Sequence, residues 1–461
     1  MNDRRTTIDT DHQPATPVST SPAWRTEPEI DGERQQFLRQ RLTIAPAIRQ
    51  GIYPFKDVRL SRADVEWLLI THEQGRGPIE WGDPSQRERQ GIDLRGADVQ
   101  RVDLRNLPLA CLCGGLTREE WAGTTLEQRA LAGVHLEQAD LSETHLEGAV
   151  LRGAFLQGAT LRATQLEQAV LFQAHLEQAY LRKAHLEGAN MAYVHLEGAY
   201  LRDAWLTGAD LRHALCDNAT NLEEVTLLDK KWGCTRLADV HWNDCHLAVI
   251  DWRRVMPLGD ETLARTLPAH SGRARDAQDK HEYLDKIQAA VRAYRRLANA
   301  MRAQGMNEEA VPFAYRAQLI QREVLWRQLL WGQVAAWEAE ASPGGTGQML
   351  RDLWRRVSSF GACIFSWFLD VLAGYGYKPG RSLGIYLLMI TAFATCYLLL
   401  GRLPLREALI FSVTAFHGRG FFPGPFTLGD PVTAIAALEA VVGLFIEISF
   451  IATFTQRFFG R

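Results

Sequence analysis

From Val134 the chain alternates apolar and polar positions with a period of five. Sixteen blocks run without a gap to His213: VHLEQ ADLSE THLEG AVLRG AFLQG ATLRA TQLEQ AVLFQ, then AHLEQ AYLRK AHLEG ANMAY VHLEG AYLRD AWLTG ADLRH. The third residue is Leu fifteen times and Met once, at Met191; the first is Ala twelve times and otherwise Thr or Val. Such a period suits neither a helix nor a flat strand. It predicts a solenoid in which each block forms one side of a square coil. The Leu and the small residue point inward, and the other three face water. Ala recurs because the axis has no room for a second large side chain. Weaker blocks extend the pattern, IDLRG ADVQR VDLRN from Ile92 and TRLAD VHWND CHLAV IDWRR from Thr235. Between Leu107 and Gln128 the register breaks, which predicts a helical or looped insertion near 107–128 within a repeat domain over 91–254.

Twenty residues close one turn, so residues twenty apart stack at ~4.8 Å, the interstrand spacing. Read by face, the fourth positions form two acidic edges, Glu137, Gln157, Glu177, Glu197 and Glu147, Glu167, Glu187, Thr207. Between them lie Ser142, Arg162, Arg182, Arg202 and Arg152, Phe172, Ala192, Arg212. His175 and His195 stack beside the first acidic edge, and His145 and His185 beside the second. A metal- or proton-sensing ladder and a solvated surface that keeps the coil soluble both fit this pattern; the second is the expectation.

The repeat closely resembles the pentapeptide-repeat family, whose unit is A(D/N)LXX. The resemblance implies a right-handed quadrilateral β-helix. Some members of that family mimic DNA with an acidic surface. Here residues 134–218 hold eleven acidic and six basic side chains, a net of −5. Arginine ladders have the wrong sign for a mimic, so DNA mimicry is a minor alternative and no nucleic-acid partner is expected.

The flanking segments read differently. Residues 1–36 are charged and rich in Thr, Ser and Pro, which predicts a disordered tail and no signal peptide. Residues 37–90 predict a helical cap over the coil, with Ser61 as N-cap, Val65, Leu68 and Leu69 on the apolar face and a stop at Gly75. A charged linker is expected from Asp260 to Asp279, followed by a helical hairpin over 275–340. Its first helix presents Leu284, Ile287, Val291, Tyr294, Leu297, Ala298 and Met301, breaks at Gly305, and is followed by Ala310, Phe313, Ala314 and Ala317. The series is similar to one tetratricopeptide unit and equally to an ordinary antiparallel hairpin. After Trp326, Trp331 and Trp337, SPGGTGQ predicts a flexible joint.

The C-terminal fifth is apolar. Ser382–Leu400 has nineteen residues without a charge, and Pro431–Thr455 is long enough to span but carries Glu439 and Glu447. About twenty apolar residues cross a bilayer, so two spans are predicted. An amphipathic surface helix is expected over 350–377, with Asp370 inside it. Seven basic residues (Arg351, Arg355, Arg356, Lys378, Arg381, Arg457, Arg461) flank the outer sides of the spans, against three (Arg402, Arg406, Arg419) between them. That bias predicts a plasma-membrane protein with both termini cytoplasmic.

Between the spans, LREALIFSVTAFHG has helical periodicity but is too short to cross, the profile of a re-entrant segment. Residues 381–461 therefore resemble the two-helix pore domain of the potassium-channel superfamily. In that family four subunits surround one pore, loop carbonyls replace the ion's water, and an inner-helix glycine, here Gly443, permits bending. The loop TAFHGRGFFPG departs from the family's filter T-V-G-Y-G. Its filter candidates are Thr414, His417, Gly418, Arg419, Gly420, Phe421 and Phe422. Arg419 would obstruct a cation unless paired, and Glu439 and Glu447 are the expected partners, within roughly 80° of each other on one helix. For each acid, an interhelical hydrogen bond without ion contact is the alternative.

The remaining chemistry is sparse. The chain has 461 residues, a net charge of −3 and seven cysteines, too uneven in spacing for a disulfide framework. Cys234, His241, Cys245 and His246 lack the spacing of a zinc finger, and Cys245 falls on an inward position. No nucleophile elbow, phosphate loop or metalloprotease helix is present. The reading is a non-enzymatic, channel-like membrane protein without a cofactor, assembled as a homotetramer, whose cytoplasmic coil senses or docks an unidentified protein. A non-conducting membrane-anchored scaffold is the alternative.

Overall fold

The computed structural model describes residues 22–268, 270, 277–339, 360–372, 374, 375, 377, 379–418 and 431–458. Over the repeats, parallel bridges recur every twenty residues: His135 pairs with Phe155, Asp140 with Thr160, His145 with Gln165 and Val150 with Val170, and so on up the column. Four short sides therefore make each turn. The fifth residue of all sixteen blocks adopts left-handed backbone, with φ between 53° and 69°, and the block closes with an N–H bond back to the third residue, as from Ala139 to Leu136 at 3.1 Å. Glycine takes this conformation most readily, yet Gln, Glu, Lys, Tyr, Asp, His and Ala also occupy it here. The stacked rungs supply the compensation through bonds such as Gln138 N–H to the Gln157 carbonyl at 2.9 Å. Leu and Ala at the third and first positions are fully buried in one column. Where Thr replaces Ala, its hydroxyl has a partner: Thr144 donates to the Leu104 carbonyl at 2.9 Å and Thr164 to that of Leu141 at 2.8 Å.

The expected insertion is narrower than 107–128. Leu107-Pro108-Leu109-Ala110-Cys111 is itself a block, with Leu107 and Leu109 buried and Cys111 left-handed. Pro108 pairs with His145, and Cys113 with both Asp93 and Val150. The excursion begins only after Cys113 and returns at Val134, carrying α3 (Arg118–Ala122) and α4 (Leu126–Ala132), each opened by a capping box. At the far end the bridges stop with Leu215 and His241. The blocks expected from Cys245 onward instead form two 3₁₀ turns, because Trp252 turns inward, packs edge-on against Trp242 and donates its indole N–H to the Leu247 carbonyl at 2.8 Å.

Both ends of the coil are covered. At the N-terminal end, α1 (Gly32–Leu42) and α2 (Arg62–Gly75) place Leu38, Val65, Leu68 and Leu69 on the first rungs, and Ser61 caps α2 through a capping box with Asp64. Residues 22–36, read as part of a disordered tail, are held against this cap: the Glu66 carboxylate accepts the backbone N–H groups of Thr26 and Glu27, both at 3.0 Å. Residues 1–21 of that tail lie outside the described residues.

At the C-terminal end, the segment read as a charged linker is the buried helix α5 (Gly259–Thr266). Its Asp260 and Glu261 are 3 % and 0 % exposed. Glu261 accepts from the Tyr294 hydroxyl at 2.7 Å, from Arg265 at 2.8 Å and from Arg316, which ties α5 to α6 (Ala277–Ala303) and α7 (Asn307–Ala339). The two long helices turn at Gly305, at φ 79°, and press Tyr294, Leu297, Ala310, Phe313 and Ala317 into the same core as the coil. Burial pushes the Glu261 carboxyl up, but its bonds from Arg316, Tyr294 and Arg265 outweigh that effect and hold it below the ordinary value.

Asp260 behaves oppositely. Burial pushes its carboxyl up to about 6 against the single bond it accepts from the Leu237 N–H at 2.7 Å. The folded state then keeps a proton between pH ~4 and ~6 that the unfolded chain releases. Stability is therefore full below that window and falls as pH rises through it, by an amount on the order of 3 kcal/mol. Thermal melts of the detergent-solubilised chain at pH 4 to 7 should show this fall, and Asp260→Asn should flatten it. An unchanged slope in the variant would assign the pH dependence elsewhere.

Candidate functional site

The C-terminal region comprises α8 (Phe360–Leu372), α9 (Pro379–Leu400), α10 (Leu405–Phe416) and α11 (Pro431–Phe458). Two stretches, Gly380–Leu400 and Pro431–Ile451, are long and apolar enough to cross a membrane. α10 has twelve residues, or about 18 Å, little more than half a bilayer core. Its stripe of Ala408, Phe411, Ser412, Ala415 and Phe416 is buried against both long helices. It starts after Pro404, which cannot extend a helix backward, and stops at His417 and Gly418, where the backbone is left-handed at φ 67°.

One polar cluster ties the three helices. Glu439 of α11 is fully buried and accepts from the Tyr397 hydroxyl of α9 at 2.5 Å and from the Ser412 hydroxyl of α10. Ser412 also lies 3.0 Å from the Ile390 carbonyl of α9. An ionisable side chain in an apolar helix is costly unless so matched. The interhelical hydrogen bond given as the alternative for Glu439 is present, and Arg419, its other expected partner, lies outside the described residues. Tyr397 and Ser412 escaped the sequence reading, although a hydroxyl in each neighbouring helix was the available signal.

Glu447 takes a separate position near the end of α10. Its carboxylate lies 3.3 Å from His417 Nε2, and His417 Nδ1 contacts the Val413 carbonyl at 2.7 Å. The two acids therefore do not converge. Thr414 bonds its hydroxyl to the Phe411 carbonyl of its own helix at 2.9 Å. Arg419, Gly420, Phe421 and Phe422 lie outside the described residues, as do Arg351, Arg355, Arg356, Lys378 and Arg461 and the joint SPGGTGQ.

Gly443 has a packing role that the sequence did not reveal. A Cβ on it would stand 2.0 Å from the Phe416 carbonyl oxygen and 3.0 Å from the Phe416 ring. The glycine lets α11 press directly on the last turn of α10. The glycine thus stands at a close crossing of two helices.

The coil and hairpin meet this region through α8. Asp370 accepts from the Tyr315 hydroxyl at 2.9 Å and from Arg322 at 2.8 Å, both on α7, and lies 3.5 Å from Arg381 of α9. Arg302 of α6 donates to the Tyr377 hydroxyl at 3.1 Å. Leu372 then packs with Ile390, Phe416 and Ile446. Adjacent residues of α7 hence reach in two directions, Arg316 to the coil end at Glu261 and Tyr315 to Asp370. The outer side of α8 exposes Phe360, Ile364, Phe365 and Trp367.

A family model described as pentapeptide repeats, in eight copies, matches residues 131–168 and 169–208. No curated protein matches the chain. Among solved structures, the chain is similar to HetL of Nostoc sp. strain PCC 7120, a pentapeptide repeat protein involved in heterocyst differentiation regulation. Identity is 24 %, coverage is 33 % of this chain and 73 % of that one, and the TM-score is 0.17. A pentapeptide repeat protein, Rfr23, from Cyanothece 51142 is 27 % identical over 32 % of this chain and 88 % of its own, with a TM-score of 0.13. Another from Nostoc PCC 7120 is 38 % identical over 21 % of this chain and 69 % of its own, with a TM-score of 0.11. The matched repeats are the rungs whose twenty-residue bridging is described above; the chain is a pentapeptide-repeat protein.

Proposed function

We propose that the chain is a non-enzymatic, channel-like membrane protein. In this reading α9, α10 and α11 form one quarter of a homotetrameric pore in the plasma membrane, with both termini cytoplasmic. The observation that carries it is α10: a half-length helix held between two membrane-length helices, ending at a left-handed glycine where a loop returns to the second span. Soluble helices seldom need such an arrangement, whereas re-entrant segments require it, because their backbone must be satisfied by surrounding protein. The coil and hairpin form a cytoplasmic arm that docks a protein partner or senses a signal, and α7, Asp370 and α8 connect that arm to the end of α10.

The second reading, a non-conducting membrane-anchored scaffold, is favoured by one observation. Glu439, one of the two acids expected to pair with Arg419, is bonded to Tyr397 and Ser412. Both readings retain the pore-type assembly and predict a complex of four chains in detergent. Mass measurement of the purified complex by light scattering checks this: four chains are expected, and a monomer would remove the pore-type assembly from both.

A further inference from the structure

Five blocks of the coil contain His-Leu-Glu: at His135, His145, His175, His185 and His195. Leu points inward, so the His before it and the Glu after it emerge side by side. In four of the five the imidazole Nδ1 meets its own glutamate at 2.9 to 3.2 Å. Only the blocks at His175 and His195 stand twenty residues apart and stack directly. Their rings lie 4.8 Å apart, tilted by 21°.

This stacking gathers donors that a single block does not have. Glu177 Oε1 lies 3.0 Å from His175 Nδ1 and 3.8 Å from His195 Nδ1, and His195 Nδ1 is 3.7 Å from Glu197 Oε1. One atom each from His175, Glu177 and His195 all fall within 4.8 Å of one another. A four-coordinate zinc site brings its ligand atoms to about 3.4 Å from one another at bond lengths near 2.1 Å, so a modest turn of the exposed rings closes the cluster. The other oxygen, Oε2, of Glu177 and Glu197 is shut from solvent without a hydrogen-bond partner, as it is in Glu137, Glu147, Glu167 and Glu187. Phe155 stacks on His175 from the preceding rung, centroids 5.3 Å apart, and Leu215 pairs with His195 on the following one. Apolar groups thus bound the cluster above and below. A groove lined by Trp121, Arg129, Tyr193, His175 and His195 runs beside the rings.

We infer that His175, His195 and Glu177 form a binding site for a borderline divalent cation of the zinc, cobalt and nickel class, with Glu197 or water as the fourth ligand. Two imidazole nitrogens with one or two carboxylates suit these ions better than magnesium or calcium, which prefer oxygen alone. Each imidazole would ligate in its neutral form through Nδ1, with its one N–H proton on Nε2. The bound ion clamps two successive rungs of the arm. This inference concerns the coil alone and does not depend on the pore reading.

The test uses the full chain in detergent, stripped with a chelator and titrated with Zn²⁺ against a chromophoric competitor, with Co²⁺ as a spectroscopic probe. One ion per chain is expected, with the intense visible bands of a four-coordinate Co²⁺ centre. His175→Gln with His195→Gln should weaken binding by about a hundredfold or more, and Glu177→Gln alone by about tenfold or more. His135→Gln with His145→Gln, which removes two unstacked blocks of the same sequence, should leave affinity and spectrum unchanged. All these side chains lie on the outer surface, and circular dichroism confirms that each variant folds. Equal loss in both double variants, or no binding by the folded wild type, would overturn the site.

Discussion

Glu261→Ala is expected to cost the coil and hairpin about 3–5 kcal/mol, the usual consequence of removing one partner from a buried, charged network. The carboxylate is fully buried and gathers Tyr294, Arg265 and Arg316 from three helices. Without it, the Tyr294 hydroxyl keeps only the bond it accepts from the Leu258 N–H at 2.9 Å. Arg316, partly exposed, can turn to water; Tyr294 cannot, being fully buried. The loss should therefore appear as detachment of the hairpin from the coil, seen as faster hydrogen exchange in α5 and α6. Glu261→Gln keeps one acceptor oxygen and should fall between wild type and Ala. A loss below about 1 kcal/mol would mean that the apolar contacts of Trp252, Tyr294 and Phe313 hold this end alone.

Gly443→Ala sets two effects against each other. In an unobstructed helix Ala is favoured over Gly by about 1 kcal/mol. Here the added methyl would sit 2.0 Å from a backbone oxygen of α10, and overpacking of that kind costs about 1–3 kcal/mol or more. The clash should win because its opponent is backbone, not a side chain that can rotate. We expect the variant to separate α11 from the end of α10, lowering the melting temperature of the membrane part and exposing the loop between them to protease. A melting temperature above wild type would restore the reading of Gly443 as a hinge.

The sequence disclosed the coil almost rung by rung, because a five-residue period has one structural solution and Leu and Ala fill it without ambiguity. It obscured the rung at Leu107–Cys111, where Leu stands in the place of Ala and Pro and Cys replace the usual polar residues. Asp260 and Glu261 misled in the opposite way: two adjacent acids read as solvated linker, although Leu258 and Ala264 around them are buried. The distant partners of Glu261 come from 33 and 55 residues further along and that of Asp260 from 23 residues back, distances at which local pattern carries no information. In the C-terminal region the two long apolar helices and the half-length helix between them were legible from length and hydropathy. The partner of Glu439 was not, since nothing in α11 indicates which hydroxyls of α9 and α10 stand beside it. The role of Gly443 was hidden for the same reason, as a close crossing belongs to two helices at once.

The central claim, that α9, α10 and α11 build a conducting pore, is tested most directly by recording current from the purified wild-type protein in planar bilayers. Stepwise currents that vanish in Gly443→Ala are the predicted result. The absence of any current across voltage, pH and divalent-cation conditions, from protein shown to be folded and inserted, would contradict it and leave the scaffold reading.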